Sequence, residues 1–150
     1  MNSDVDQLGP RLAGRFSYLL KRAFVELEEL HAEHLAPSGV NVRELAVLLL
    51  LDGREPESQQ QAALRLGVDR TTMVGLLDSL EAKGLVARQP DAADRRRNVV
   101  GLTGAGRRAL VAAVEASDEA EARLLGDLSE DEAGQLRSLL ARVVRGAPRS

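Results

Sequence analysis

Arg95, Arg96 and Arg97 stand side by side in the stretch DAADRRRNVVGLT, residues 91–103. Guanidinium groups held on a turn can grip phosphate or enter a narrow groove of a duplex, where negative potential concentrates. Asp94, two residues before Arg96, has the spacing to brace that arginine as a bidentate partner. A solvated surface turn is the plainer source of an isolated charge run, so the arginines carry meaning only with their neighbours. A second pair with chemical potential is His31 and His34, which could face a metal together with Glu28 or Glu33. Two solvated histidines complementing the dipole at a helix C-terminus account for them more simply.

The chain holds no cysteine, which excludes disulfides, thiolate zinc sites and cysteine nucleophiles and fits a reducing cytoplasm. No Ser/His/Asp arrangement and no phosphate-cradling glycine loop stands out. The sequence is therefore read as a non-enzyme with no catalytic residue, no cofactor and no metal. Its 150 residues, 44% hydrophobic and 29% charged, suit one soluble domain. The start MNSDVDQLGP is polar, and the longest apolar run, Leu45 to Leu51, is far too short to span a membrane.

Net charge is -3, but it is unevenly placed. Residues 65–108 carry nine bases and five acids, whereas the remainder carries 11 bases and 18 acids. A basic middle flanked by acidic ends can serve as a local footprint for a polyanion while limiting non-specific adhesion elsewhere. The clusters Glu26-Glu28-Glu29 and Glu115 to Glu121 read as solvent faces of helices.

The elements that must position the arginines follow from periodicity and punctuation. Leu12, Phe16, Leu19, Leu20, Phe24, Leu27 and Leu30 recur at spacings of three and four, predicting one amphipathic helix from about Arg11 to Glu33, ~35 Å long. Asn41 to Glu44 has capping-box spacing ahead of ELAVLLLL, so a buried helix should run to about Asp52-Gly53. Ser58 to Gln61 repeats that signal before a short third helix, which Gly67 stops. Asp69 caps a fourth, with Met73, Leu76, Leu77 and Leu80 on its apolar side. Two strand-length runs, Leu85 to Gln89 and Asn98 to Leu102, make a hairpin around PDAADRRR. Thr103 opens a fifth helix to about Leu125, and Ser129 to Glu132 a last one.

Two short helices joined through Gly67 and followed at once by a hairpin describe a helix-turn-helix with a wing. The fold class is thus mainly α: a winged lobe with a small β-hairpin, plus long N- and C-terminal helices. The exposed face of Asp69 to Lys83 presents Thr71 and Gly75, flanked by Arg70, Thr72 and Val74. Its N-terminus can meet phosphate, while Thr71 and Arg70 reach base edges in the major groove. Asp78 and Glu81 would repel phosphates, so the N-terminal half should dock first. The arginine-tipped hairpin would then reach the neighbouring minor groove.

The stretch LGVDRTTMVGLLDSLEAKGLVARQPDAADRRRNVVGLTGAG resembles the MarR family of transcriptional regulators. It carries that family's recognition helix, the GLV entry to the wing, the D-x-R wing motif (Asp94, Arg96) and the L-T-x-x-G exit (Leu102, Thr103, Gly106). The match extends from about residue 10 to 145. The resemblance implies a homodimer that binds double-stranded DNA at an inverted-repeat operator, often as a repressor released by a small ligand. It implies one MarR-like domain over residues 1–150, with the winged lobe at about 40–103 and dimerisation helices at about 10–33 and 104–146. Gly75 and Ser79 stand where many relatives have Arg, Val74 where Thr is frequent and Ala62 where Leu packs. That departure moves phosphate binding toward the wing and toward Ser58, Gln59 and Gln60.

A ~35 Å amphipathic helix independently offers more apolar stripe than one lobe can cover, which favours pairing. The family's pocket for a small aromatic or anionic effector directs attention to Arg15, Phe16, Tyr18 and His34, although core packing also accounts for Phe16. Two other classes compete: a winged-helix protein-interaction module without DNA binding, which would show no salt-dependent duplex affinity, and a small hydrolase or metal enzyme built on His31 and His34.

Overall fold

Gly14 interrupts the long first helix that the apolar spacing predicts. The computed structural model, which describes residues 7–147, has a short α1 (Gly9–Ala13) and a separate α2 (Phe16–Leu35) instead. Gly14 sits at φ -90°, ψ -2°, the sparsely populated edge of the helical region. The Arg15 amide turns back to the Leu12 carbonyl at 3.0 Å, and regular bonding resumes when Leu19 donates to the Arg15 carbonyl. Glycine lowers helix propensity by about 1 kcal/mol relative to alanine, so the break falls where continuity is weakest.

The chain forms two compact units, one being His31–Glu119 and the other the described residues up to Leu30 together with those from Ala120 onward. In the central unit, a 3-10 turn (Ala36–Ser38) leads to α3 (Val42–Leu51), α4 (Gln59–Leu66) and α5 (Arg70–Ala82). Strands β1 (Val86–Pro90) and β2 (Asn98–Leu102) follow, and then α6 (Gly104–Leu124), of which the residues up to Glu119 belong to this unit and those from Ala120 to the other. The strands pair antiparallel with Val86 opposite Leu102 and Pro90 opposite Asn98, and Glu57 adds an isolated bridge to Val100. Leu48, Met73, Leu77, Leu80 and Val100 are fully buried in one cluster with Leu35, Val86 and Ala113. Each such side chain contributes about 1.5–3 kcal/mol on leaving water, and together they fix α3, α4, α5 and the hairpin around one core.

His31 corrects an expectation: it is buried, not solvated, and its Nε2 lies 3.0 Å from Ser117 Oγ on α6. No cluster of three potential metal-ligating His, Cys, Asp or Glu side chains occurs among the described residues. No helix there is long and apolar enough to cross a membrane.

In the other unit, α7 (Glu130–Gly146) opens on a complete capping box between Ser129 and Glu132. Arg137 reaches from α7 to Glu121 at 2.8 Å. A cavity of about 530 Å³ is lined by Leu19, Leu20, Ala23, Phe24 and Leu27 with Leu124, Leu136 and Leu140. Phe16, Phe24, Leu139, Val143 and Val144 are more than half exposed, so this unit leaves several large apolar side chains uncovered within the chain.

Candidate nucleic-acid interface

The helix-turn-helix is built by local hydrogen bonds. Ser58 Oγ accepts the Gln61 amide at 3.2 Å while Gln61 Oε1 accepts the Ser58 amide at 3.1 Å, so the capping box that opens α4 is complete. Gly67 then adopts φ 67° and lets the Val68 amide turn back to the Ala63 carbonyl. A side chain at that left-handed position would be strained, which is why glycine stands between the two helices.

Asp69 caps α5 through both carboxylate oxygens: Oδ1 accepts the Thr72 amide at 2.8 Å and Oδ2 the Thr72 hydroxyl at 2.7 Å. Those two bonds hold the Asp69 carboxyl below its ordinary value. They also commit the Thr72 hydroxyl to the cap. Beyond it Arg70, Thr71 and Gly75 are exposed, Thr72 and Val74 half-buried, and Met73 and Leu77 buried. The N-terminal half of α5 therefore presents a low, polar surface over a rigid apolar underside.

The wing tip is a turn closed on itself. The Asp91 amide donates to the Arg97 carbonyl at 2.8 Å and the Arg97 amide to the Asp94 carbonyl at 3.0 Å. Asp94 Oδ1 takes the backbone amide of Arg96 at 3.1 Å, so Asp94 shapes the turn and the bidentate brace to the Arg96 guanidinium is not what it makes. Arg95, Arg96 and Arg97 are all exposed. No carboxylate among the described residues forms an ion pair with any of them. The wing thus points three guanidinium groups outward.

At the base of the wing, Thr103 Oγ donates to the Gly84 carbonyl at 2.7 Å and accepts the Gly106 amide at 3.0 Å. The Glu57 carbonyl accepts the Val100 amide at 2.9 Å, which joins the approach to α4 to the hairpin.

Arg88 is the residue that sequence reasoning passed over. From β1 it donates to Asp78 Oδ1 at 2.7 Å, to Glu81 Oε1 at 2.9 Å and to Gln59 Oε1 at 3.1 Å. The Asp78 hydrogen bond, opposed by partial burial and aided by Glu81, raises the guanidinium above its ordinary value. The two acids expected to repel phosphate are consequently partnered. A comparable clamp joins α3 to the end of α5: the buried Glu44 accepts from Lys83 Nζ at 2.7 Å, Ser79 Oγ at 3.3 Å and Asn41 Nδ2 at 3.0 Å. Asn41 Oδ1 does cap the Glu44 amide, but the Glu44 carboxylate turns to Lys83 rather than back to the Asn41 backbone.

The central unit therefore gathers Ser58, Gln59 and Gln60 at the start of α4, Arg70 to Gly75 at the start of α5, and Asp94 to Arg97 at the wing tip. Among the residues proposed for an effector, Arg15, Phe16 and Tyr18 fall in the unit of terminal helices and His34 in the central unit. Phe16 is 63% exposed, so it is not a core residue of the single chain.

Residues 38–97 match the MarR family. The chain is similar to the transcriptional regulator HosA of Escherichia coli O127:H6, with 32% identity over 119 residues covering 76% of this chain and 88% of HosA. Among solved structures it resembles the transcriptional repressor CouR bound to a 23-mer DNA duplex, with 34% identity, a TM-score of 0.82, and 90% and 96% of the two chains covered. It also resembles CouR from Rhodococcus jostii RHA1 bound to p-coumaroyl-CoA, with 29% identity, a TM-score of 0.78, and 95% and 100% covered. With a capped helix pair, an arginine-tipped wing and relatives that align across most of its length, the chain belongs to the MarR family of transcriptional regulators.

Proposed function

We propose that this chain is a DNA-binding transcriptional repressor that acts as a homodimer on an inverted-repeat operator. In this reading the N-terminal half of α5 enters the major groove, with Arg70, Thr71 and Gly75 nearest the base edges and Thr72 and Val74 beside them. Arg95, Arg96 and Arg97, on the turn that Asp94 shapes, enter the adjoining minor groove, and Ser58, Gln59 and Gln60 meet phosphate. The observation that carries the reading is the outward set of unpaired wing arginines beside a capped, unobstructed helix start. CouR bound to a DNA duplex, similar along 90% of this chain, supports it.

The second copy is inferred from the apolar residues that the terminal helices leave exposed, Phe16, Phe24, Leu139, Val143 and Val144 among them. So many large apolar side chains left exposed call for a partner. The reading makes residues 1–150 one MarR-like domain, with a winged lobe at about 40–103 and dimerisation helices at about 10–33 and 104–146. Two-fold symmetry then places the recognition helices about one duplex turn apart, ~34 Å. A small aromatic or anionic effector releases the operator, with Arg15, Phe16, Tyr18 and His34 as its candidate contacts. CouR bound to p-coumaroyl-CoA supports a ligand-responsive regulator. No catalytic role is assigned, and a regulator of chromosomal operators works in the cytoplasm.

The deciding experiment is selection of bound sequences from random duplex with the purified chain. An enriched inverted repeat is expected, and no enrichment overturns the reading. Sedimentation at micromolar concentration should give a dimer; a monomer overturns the symmetric arrangement.

A further inference from the structure

Thr71, Gly75, Asp78 and Ala82 fall at i, i+4, i+7 and i+11 and are all exposed, so they form one stripe along α5. The stripe that begins with the proposed reading residues thus runs directly into a carboxylate. Seven residues separate Thr71 from Asp78, a rise of ~10 Å. That is about one Debye length at 0.1 M salt, so a bare carboxylate there acts on the same phosphates. Glu81, 43% exposed, adds a second acid beside it.

Arg88 lies behind these acids. Its side chain is only 21% exposed, yet it bridges Asp78 at 2.7 Å and Glu81 at 2.9 Å, and Gln59 Oε1 on α4 accepts from it at 3.1 Å. A planar guanidinium can serve three acceptors in fixed directions. Arg95, Arg96 and Arg97 have no such commitments and point outward, which separates their task from that of Arg88.

We infer that Arg88 is a positioning residue for DNA recognition: it masks the Asp78 and Glu81 carboxylates on the reading helix and thereby lets that helix approach phosphate. The inference rests on the DNA-binding reading above. It assigns to a wing strand a function that no groove contact supplies. Without Arg88, two negative charges face the duplex where the paired state presents one.

The test uses the full chain and the duplex that the chain itself selects, with affinity read by fluorescence anisotropy at about 0.1 M salt. Arg88→Gln should weaken binding by roughly tenfold or more, because like charges are set against each other. Adding Asp78→Asn and Glu81→Gln to that variant should restore affinity to within about threefold of the Asp78→Asn/Glu81→Gln protein, since nothing remains to mask. A role confined to holding the wing in place predicts no such rescue. Arg88→Lys keeps a cation at the site and should keep most of the affinity even if Arg88→Gln folds poorly. Wild-type affinity in Arg88→Gln, failure of the triple variant to recover, or a lysine variant as weak as the glutamine one each overturn the inference. Failure of the unmutated chain to select any duplex would overturn the DNA-binding reading instead.

Discussion

Gly106, in the first turn of α6, lies so close to the Leu85 carbonyl that a β-carbon there would sit well inside van der Waals contact with the oxygen and carbon of that peptide. The same carbonyl already accepts the Thr103 amide at 3.1 Å, so neither side of the contact can yield easily. Gly106→Ala should cost about 2–3 kcal/mol by forcing the wing base and α6 apart. Urea unfolding measures this, and a loss below about 0.5 kcal/mol, the level of an ordinary surface change, would show that the contact relaxes freely.

Gly75 gives the opposite expectation from the same residue change. It lies inside α5, is exposed, and has open space where a β-carbon would stand. Gly75→Ala should stabilise the fold by about 0.5–1 kcal/mol through helix propensity. It also places a methyl on the face assigned to the major groove, so affinity for the wild-type operator should fall. A variant that melts higher and binds identically would remove Gly75 from the interface.

Much of this architecture was legible because its signals are local. Asn41, Ser58, Asp69 and Ser129 each cap the helix they precede through a bond to the residue three ahead, and the strand from Asn98 to Leu102 has the bounds its apolar run predicts. What escaped needs partners far along the chain. His31 is buried because Ser117, 86 residues away, meets its ring. The side chain of Glu44, besides meeting the Asn41 amide nitrogen, reaches Lys83 and Ser79 far along the chain, and Arg88 converges on acceptors from two helices. Spacing along a sequence carries none of these pairings. Ser79 makes local sense only once its hydroxyl is seen to serve Glu44. The break at Gly14 was readable in principle, since a glycine inside a helical pattern is a known weak point.

Lys83 carries a stability cost if removed. Glu44 is 4% exposed and relies on Lys83 Nζ at 2.7 Å for its charge partner. Breaking a fully buried pair from one side costs 3–5 kcal/mol, and the 39% exposure of Lys83 reduces that, so Lys83→Met should lose about 2 kcal/mol. Glu44→Gln removes the charge that needs pairing and should lose less. Equal losses in chemical denaturation would mean that the hydrogen bonds, not the charges, hold α3 to α5.

Acid should act on the helix caps. The Thr72 amide and hydroxyl depress the Asp69 carboxyl below its ordinary 3.8, and the Ser129 amide and hydroxyl depress Glu132 below 4.5. A carboxyl whose folded value is lowered contributes stability that is complete above its unfolded value and is lost as pH falls through the folded one. The capping contribution should therefore be present at neutral pH and decline below the ordinary carboxylate values. Asp69→Asn keeps a capping oxygen without a titrating proton, so its unfolding midpoint should fall less steeply with acidification than that of the unmutated chain. Parallel profiles would show that this cap does not contribute to acid sensitivity.

The wing arginines should reveal themselves through salt. Arg96 is exposed, unpaired and fixed at its backbone by Asp94 at 3.1 Å, so its guanidinium reaches a duplex without first breaking an internal contact. Arg96→Ala should weaken operator binding severely, by on the order of 1–3 kcal/mol per half-site. If the group neutralises phosphate charge as well as lining the minor groove, the slope of log affinity against log salt should become shallower by about one counterion per arginine removed. Asp94→Ala leaves the charge in place and loosens only the turn, so it should lower affinity while the slope stays steep. Anisotropy titrations over a salt series separate the two variants, and near wild-type affinity in Arg96→Ala would take the wing out of the interface altogether.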